Sequence, residues 1–333
     1  MLTHKKILVT GGAGFMGSDF IHHILLKTKF EGKLVNLDLL TYAGNLENLR
    51  DVENDPRYTF VKGDVCDAKL VEELFSKHSF DIIVHFAAET HVDRSIDQPK
   101  TFIETNILGT YTLLEALRRH RKVHLHLIST DEVYGDLPTK EGIFTEKSTY
   151  APSSPYAASK AAADHLALSY ARTYGLSVTV SHASNNYGGH QHTEKLIPRM
   201  IQRCLTGEDL TVYGSGEQVR DWLYVEDHSE AIYFILSRGK KGQVYNVGGE
   251  NELTNLEVID HIIQRLSEIR GDDPLIYKKK VIHVADRPGH DFRYAMDITK
   301  IKEELGWYPK TSFDTGLRKT IMGIYESGLC NSS

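Results

Sequence analysis

Cysteine is scarce in this chain, with three in 333 residues. Cys66, Cys204 and Cys330 lie far apart, and no Cys-x-x-Cys pair occurs. That argues against a disulfide framework or a cysteine-built zinc site and predicts the free thiols of a reducing cytoplasm. Long basic runs are missing too, and 39 basic against 45 acidic residues leave a net charge of −6. Nucleic-acid binding is not expected from such a balance, and an anionic ligand must be met by local cations. No apolar stretch reaches the roughly 18 residues that span a bilayer, so no membrane segment is expected. The start, Met1-Leu-Thr-His-Lys-Lys6, runs straight into a strand pattern, and no signal peptide is expected. Histidine is plentiful, at 17 residues. Yet His22-His23 sits on a helix pattern, His124 and His126 alternate within a strand, and His190-Gln-His192 has no partners at zinc-like spacing. These read as structural or surface residues, and no metal is expected. The 41% hydrophobic content suffices for a large core, as one big α/β unit or two intimately joined domains.

Lys6-Ile-Leu-Val-Thr10 reads as a short buried strand, followed by Gly11-Gly-Ala-Gly14-Phe-Met-Gly17 and an amphipathic helix to about Leu26. Glycines at 11, 14 and 17 allow a tight turn, close approach of backbone to a pyrophosphate, and close packing of helix on sheet. Free N–H groups at the helix start suit the phosphates. A second strand, Lys33–Leu37, ends at Asp38, where a carboxylate can bind the adenosine ribose hydroxyls and repel a 2′-phosphate. The expected cofactor is NAD.

Tyr156-Ala-Ala-Ser-Lys160 places two side chains one helical turn apart on one face. A lysine ammonium there is expected to lower the phenol from its usual value near ~10 and make it a usable base. Thr130-Asp131-Glu132 adds a hydroxyl relay and two carboxyl groups. One phenolic base accounts for an oxidation; two further acid/base groups imply a second proton transfer.

Strand and helix patterns alternate through the first half, with strands near Phe60-Val61, Asp81–Phe86 and Val123–Ser129. Helices are expected at about 68–78, 99–120 and 155–174. Such alternation predicts a Rossmann-type, doubly wound parallel sheet with ligands beyond the strands' carboxyl ends. Gly11–Gly17, Asp38, Asp64-Val65, Ala87–Thr90 and Thr130–Glu132 fall at those ends. From about Asn185 the pattern loosens into short helices near 195–206, 227–237, 255–269, 298–305 and 313–326. The expected division is an NAD-binding domain over 1–184, to which 223–249 returns through Gln243–Val247. Residues 185–222 and 250–333 would then form a smaller, mixed α/β substrate-binding lobe, with the chain frayed from Gly328. In that lobe Arg220 and Arg287 can each grip a phosphate, and His290 follows three residues after Arg287.

These features resemble the extended short-chain dehydrogenase/reductase superfamily and, within it, the dTDP-glucose 4,6-dehydratases. The likeness runs from residue 5 to about 310. It is carried by Asp38-Leu-Leu-Thr-Tyr-Ala-Gly-Asn45, His85-Phe-Ala-Ala-Glu-Thr-His-Val-Asp-Arg-Ser95, Ser129-Thr-Asp-Glu-Val-Tyr-Gly135, Arg220–His228 and Asp286-Arg-Pro-Gly-His-Asp291. The resemblance implies Thr130, Asp131, Glu132, Tyr156 and Lys160 as catalytic residues. Cofactor contacts would come from Gly11, Gly14, Phe15, Met16, Gly17, Asp38, Leu39, Thr41, Asp64, Val65, Phe86, Ala87, Ala88, Thr105, Tyr156, Lys160 and Asn186. A nucleotide sugar would meet Thr90, Thr130, Asp131, Glu132, Asn185, Lys195 and Leu196 on its sugar side. Arg220, Arg287 and His290 would face its diphosphate with Asn255 assisting, and Thr211 and Tyr213 would cradle its base. A UDP-glucose 4,6-dehydratase is the nearest alternative, since one methyl group separates the two bases. A nucleotide-sugar 4-epimerase needs no Asp131-Glu132 pair, and a non-catalytic NAD-binding regulator needs no tuned Tyr156. The resemblance also implies a homodimer joined through the helices at 99–120 and 155–174. Leu113, Leu114, Leu117, Ala161, Ala162, Ala163, Leu166, Ala167 and Tyr170 offer a compatible apolar face. The chain departs from the family at Gly188-Gly-His-Gln-His-Thr-Glu-Lys195, where two prolines are usual, and at Thr90, where serine is common.

Overall fold

In the computed structural model, which describes residues 2–139 and 141–326, seven parallel strands form the central sheet. They are β1 (Lys6–Thr10), β2 (Lys33–Asp38), β3 (Tyr58–Lys62), β4 (Ile82–His85), β5 (His124–Thr130), β6 (Ser177–Ala183) and, from later in the chain, Val244–Val247. The order across the sheet is β3-β2-β1-β4-β5-β6, then Val244–Val247 at the far edge. Strand order reverses between β1 and β4, which opens a crevice at the carboxyl ends of these two strands.

Period-2 alternation sends neighbouring residues to opposite faces. Ile7, Val9, Leu34, Ile82 and Val84 pack with Phe20, Ile21 and Ile24 on one side. Leu8, Val35, Ile83, Leu125 and Leu127 pack with Leu113, Leu114, Leu117, Ala163 and Ala167 on the other. Both faces are thus sealed by helices, as an all-parallel sheet requires. This bears on the apolar face expected at the helices near 99–120 and 155–174. Leu113, Leu114, Leu117, Ala163 and Ala167 are buried within the chain, because the sheet uses that face, and Ala161 is buried against Val133, Tyr134 and Phe144. The outward apolar residues are Ile103, Leu108 and Tyr111, bordered by half-buried Ile107 and Leu166.

The helix expected at 99–120 is interrupted. Pro99–Phe102 is α-helical, Ile103–Leu108 forms a π-turn, and Gly109–Arg119 resumes the α-helix. The widened turn points Asn106 inward, where its amide accepts the Glu89 N–H at 2.8 Å and donates to the Glu89 carbonyl at 3.0 Å and the Ser159 hydroxyl at 2.8 Å. Those bonds offset the backbone geometry lost in the turn and pin the loop after β4 to the helix carrying Tyr156.

Three further strands, β7 (Asn185–Tyr187), β8 (Leu210–Tyr213) and β9 (Val219–Tyr224), precede the edge strand of the main sheet, which becomes β10. β11 (Glu252–Thr254) and β12 (Val281–Val284) follow. The order β11-β9-β7 makes one small sheet, and β12 pairs with β8. Around them a second core gathers Tyr187, Ile197, Ile201, Trp222, Ile259, Ile262, Phe313 and Leu317. Its longest helix, Asn255–Arg270, starts with a reciprocal cap between Thr254 and Glu257 and ends at Gly271 in the left-handed region. One stretch departs from the expected lobe of 250–333. Ile298, Ile301, Leu305 and Trp307 pack on Tyr245 and Val247 of β10 rather than on the small core. The apolar side of β10 needs covering, and this segment supplies it. Residues from Gly328 onward, with Cys330, lie outside the described residues.

Candidate active site

The carboxyl ends of β1, β2, β4, β5 and β6 open into one long cleft. At one end lies the glycine turn. Gly11 has φ +71°, and a Cβ there would sit 2.5 Å from the Ala87 nitrogen, so only glycine fits between β1 and β4. At Gly17 a Cβ would collide with the Gly11 carbonyl, so the helix can pack this closely only without a side chain. The helix Phe15–Lys27 has no side-chain cap at Gly14, and Phe15, Met16 and Gly17 line the cleft with first-turn N–H groups free for an anion. Asp38 accepts the Ala13 N–H and the Leu40 N–H, each at 2.8 Å. Its carboxylate therefore braces the glycine turn as well as facing the cleft. Buried side-chain oxygens of Asn185, Asn186 and Gln191 have no hydrogen-bond partner, and all three residues line the same wall. A dinucleotide fits this cradle: backbone amides for a pyrophosphate, a carboxylate for a ribose, and orphaned amide oxygens toward the inner end.

Deeper in, β5 ends at Thr130 and a single 3-10 turn carries Asp131 to Tyr134. The Thr130 hydroxyl donates to the Asp131 carboxyl at 3.2 Å, accepts the Glu132 N–H at 3.3 Å, and lies close enough to Tyr156 to influence its phenol. Across from it, Ser154 caps the helix Pro155–Tyr174 through the Ala157 N–H at 3.1 Å, with Pro155 as its first residue. That start presents Tyr156 to the strand end.

Asp131 and Glu132 are chemical neighbours in unequal surroundings. Burial pushes Asp131 well above the usual carboxyl range, and the charges of Glu132 and Asp221 push it further. Glu132 is also raised by burial, but Arg287, Arg220 and Lys195 pull it back. One carboxyl is held as an acid, and the other has three cations to stabilise its anion.

The Tyr156–Lys160 pair differs from its expected form. Burial, then the charge of Glu132, raises the Tyr156 phenol well above its ordinary value; the nearby Thr130 hydroxyl lowers it only in part. The Lys160 ammonium does not relieve this, because it donates to the Ile128 carbonyl at 2.6 Å. Burial itself brings Lys160 down to about 8, with Asp164 opposing. The i,i+4 spacing puts both residues on one face, but the end of β5 offers the ammonium a closer partner.

A family model described as GDP-mannose 4,6 dehydratase matches residues 8–320. The dTDP-glucose 4,6-dehydratase of Shigella flexneri is 50% identical over 333 aligned residues, covering 95% of this chain and 91% of that one. The chain belongs to the dTDP-glucose 4,6-dehydratase family. Two solved members superpose closely on it. The Bacillus anthracis enzyme in complex with NAD is 45% identical, with TM-score 0.89 over 98% of each chain. DesIV from Streptomyces venezuelae, with NAD and TYD bound, is 44% identical, with TM-score 0.91 over 97% of this chain and 98% of that one.

Of the residues expected to contact cofactor, all but Lys160 line the cleft. Thr90, Thr130, Asp131, Glu132, Asn185 and Lys195 line it from the expected sugar side, and Lys195 donates to the Thr90 carbonyl at 2.8 Å. Leu196 opens the next helix and packs on the small core. The expected diphosphate and base residues form a separate cluster. Asp286 bonds His290 at 2.7 Å and Gln218 at 3.1 Å, while the Gln218 carbonyl accepts the Asn255 N–H at 3.1 Å. Tyr213 and Thr211 lie on adjacent β8. Arg287 pairs with Asp93 at 3.3 Å and keeps a buried Nε with no partner. Arg220 is not the free bidentate clamp expected. Its guanidinium donates to the carbonyls of Val219, Asp291 and Phe292 at 2.7, 2.8 and 3.2 Å and stacks 4.3 Å over Tyr294. It acts on the site as a fixed charge beside Glu132.

Sequence reasoning overlooked Glu194. Its carboxylate is ringed by His91 at 3.6 Å, His192 at 3.7 Å and Arg94 and Lys195 at 3.9 Å, with the Tyr42 hydroxyl at 3.4 Å. His192 and Lys195 are its neighbours in the chain, but Tyr42, His91 and Arg94 come from two distant segments, so spacing alone gave no signal. Tyr294 was missed for the same reason. It bonds the Asp291 carboxylate and lies within the field of Glu132.

Proposed function

We propose that this protein converts dTDP-glucose to dTDP-4-keto-6-deoxyglucose and water, as an NAD-dependent 4,6-dehydratase. The unequal surroundings of Asp131 and Glu132, at the strand end that also holds Thr130 against Tyr156, carry this reading. The family relationship supports it. Bound NAD supplies a hydride acceptor for C4 and a hydride donor for C6. The chain's residues supply the protons. Tyr156, through Thr130, takes the proton of the C4 hydroxyl, which requires the Lys160 ammonium to turn from Ile128 toward the phenolate. The C4 ketone acidifies the C5 proton, and Glu132 removes it while Asp131 protonates the departing C6 hydroxyl as water. Glu132 then returns a proton to C5, and the proton held by Tyr156 replaces, over the cycle, the one given by Asp131. A 4-epimerase has no work for the last two carboxyl groups.

The substrate assay is direct. With dTDP-glucose, purified protein gives a 4-keto-6-deoxy product without added reductant, and at a much lower rate with UDP-glucose. A C4-epimerised sugar as the only product would contradict the reading.

The reading includes a homodimer built on the outward apolar patch of Ile103, Leu108 and Tyr111, residues 55%, 45% and 43% exposed. Light scattering on eluted protein is expected to give a mass near twice 37.6 kDa. A fully active monomer at every concentration would remove this claim. It also includes a cytoplasmic location, supported by the free thiols of Cys66 and Cys204. Among the described residues, no helix is long and apolar enough to cross a membrane.

A further inference from the structure

Behind the catalytic helix lies a buried polar network that the reaction above does not use. Asp164, one turn beyond Lys160, is fully buried, and its Oδ2 accepts the Ser129 hydroxyl at 2.8 Å. The same oxygen stands 3.0 Å from Nε2 of His182 on β6, and the Tyr150 hydroxyl lies 2.9 Å from that nitrogen and 3.3 Å from the oxygen. On the other side of the ring, Nδ1 is 2.6 Å from the Tyr134 hydroxyl, which is 2.8 Å from Oδ1 of Asn246 on β10.

The hydrogens of this chain can be placed one after another. Asn246 points Nδ2 at the carbonyls of Phe144, at 3.1 Å, and Asp297, at 3.3 Å, so its oxygen must face Tyr134. That oxygen takes the only hydrogen of Tyr134. The Tyr134 oxygen can then only accept from His182, so Nδ1 carries a hydrogen. Nε2 and Oδ2 remain. Tyr150 could give its one hydrogen to an unprotonated Nε2 at 2.9 Å, but that nitrogen would still face the carboxylate oxygen lone pair to lone pair at 3.0 Å, which is repulsive. One proton lies between them.

We infer that His182 and Asp164 share a buried proton, and that Asp164 is thereby a positioning residue whose negative end sets the charge and orientation of Lys160. This rests on the reading of Lys160 as the partner of Tyr156. The geometry supports it twice. Asp164 stands four residues after Lys160 on the same helix, within reach of its side chain, and its charge opposes the effect of burial on the ammonium. Through Ser129 it also ties the lysine's helix to the residue before Thr130. His182 keeps the carboxylate from standing uncompensated in the core, a strongly unfavourable state. Ser129 and Tyr150 alone do not supply a countercharge.

Two variants separate tuning from scaffolding. Asp164→Asn keeps the shape: its amide donates to a bare Nε2 of His182 and its oxygen accepts from Ser129, while the negative charge is lost. His182→Gln donates to Asp164 but leaves its charge without the imidazolium. The alkaline limb of the rate profile, where Lys160 loses its proton, is therefore expected to fall by about one pH unit in Asp164→Asn and to rise in His182→Gln. Tyr156, His85, Asp131, Glu132 and, against Tyr150, His165 are the other titratable groups around the two sites. They are common to all three proteins. Unmoved limbs in both variants, or limbs moving the same way, would overturn the proposal. Nitrogen-15 spectra of labelled histidine in the whole protein give a reading independent of activity, with the His182 signals assigned by their loss in His182→Gln. Both ring nitrogens should carry proton character in the parent protein, and Nε2 should be bare in Asp164→Asn. A bare Nε2 in the parent would sink the shared proton even if the enzyme is active. An inactive parent with the expected spectrum would instead sink the assigned reaction.

Discussion

Glu132→Gln is expected to lower turnover by about a hundred- to ten-thousand-fold and to stop the reaction with the cofactor reduced. The amide keeps the shape and the N–H that Thr130 accepts at 3.3 Å, so the turn Asp131–Tyr134 is preserved. What disappears is the group that takes the C5 proton. The first half of the cycle remains, and it is helped rather than hindered. The Glu132 charge is one cause of the raised Tyr156 phenol, so its removal makes the phenol a more accessible base. Rapid mixing with dTDP-glucose should therefore show reduced cofactor appear as fast as in the parent, or faster, and persist. Turnover at the parent's rate would mean that another group removes the C5 proton.

Tyr156→Phe is expected to cost a similar factor with the opposite signature. The ring packs edge-on against Phe102 with centroids 6.3 Å apart, a contact that phenylalanine retains. The loss is confined to the hydroxyl beside Thr130. Without it the C4 hydroxyl keeps its proton, and no reduced cofactor forms on mixing with substrate. Equal rates of cofactor reduction in this variant and the parent protein would move the first proton transfer to another group. Comparing the two variants separates the halves of the reaction: one accumulates the reduced state, the other never reaches it.

The large sheet was legible because its signals are local. β1, β2, β4 and β5 are apolar runs closed by Gly11, Asp38, Ala87 and Thr130, and each end places a residue in the cleft. The helices Ala68–His78 and Pro155–Tyr174 run between recognisable caps, Asp67 and Ser154 at their starts and Gly175 at the end of the second. The small sheets were not legible. β7 and β11 have three residues each, too few to show a period, and their pairing with β9 joins segments far apart in the chain. The π-turn at Ile103–Leu108 carries no composition of its own and is held by Asn106 reaching Glu89 and Ser159. The candidate catalytic residues were visible as motifs, but their states were not. The placement of Lys160 on Ile128, the commitment of Arg220 to three carbonyls and the ring of partners around Glu194 all depend on contacts between distant segments.

The central claim is that Tyr156, Asp131 and Glu132 serve one substrate molecule in sequence, with the hydrogen removed from C4 delivered to C6 of that same sugar. Supplying dTDP-glucose with deuterium at C4 and reading the product by NMR tests it. The account predicts deuterium on the C6 methyl group and none at C4. Deuterium back at C4 of an inverted sugar, or released to water, would contradict it.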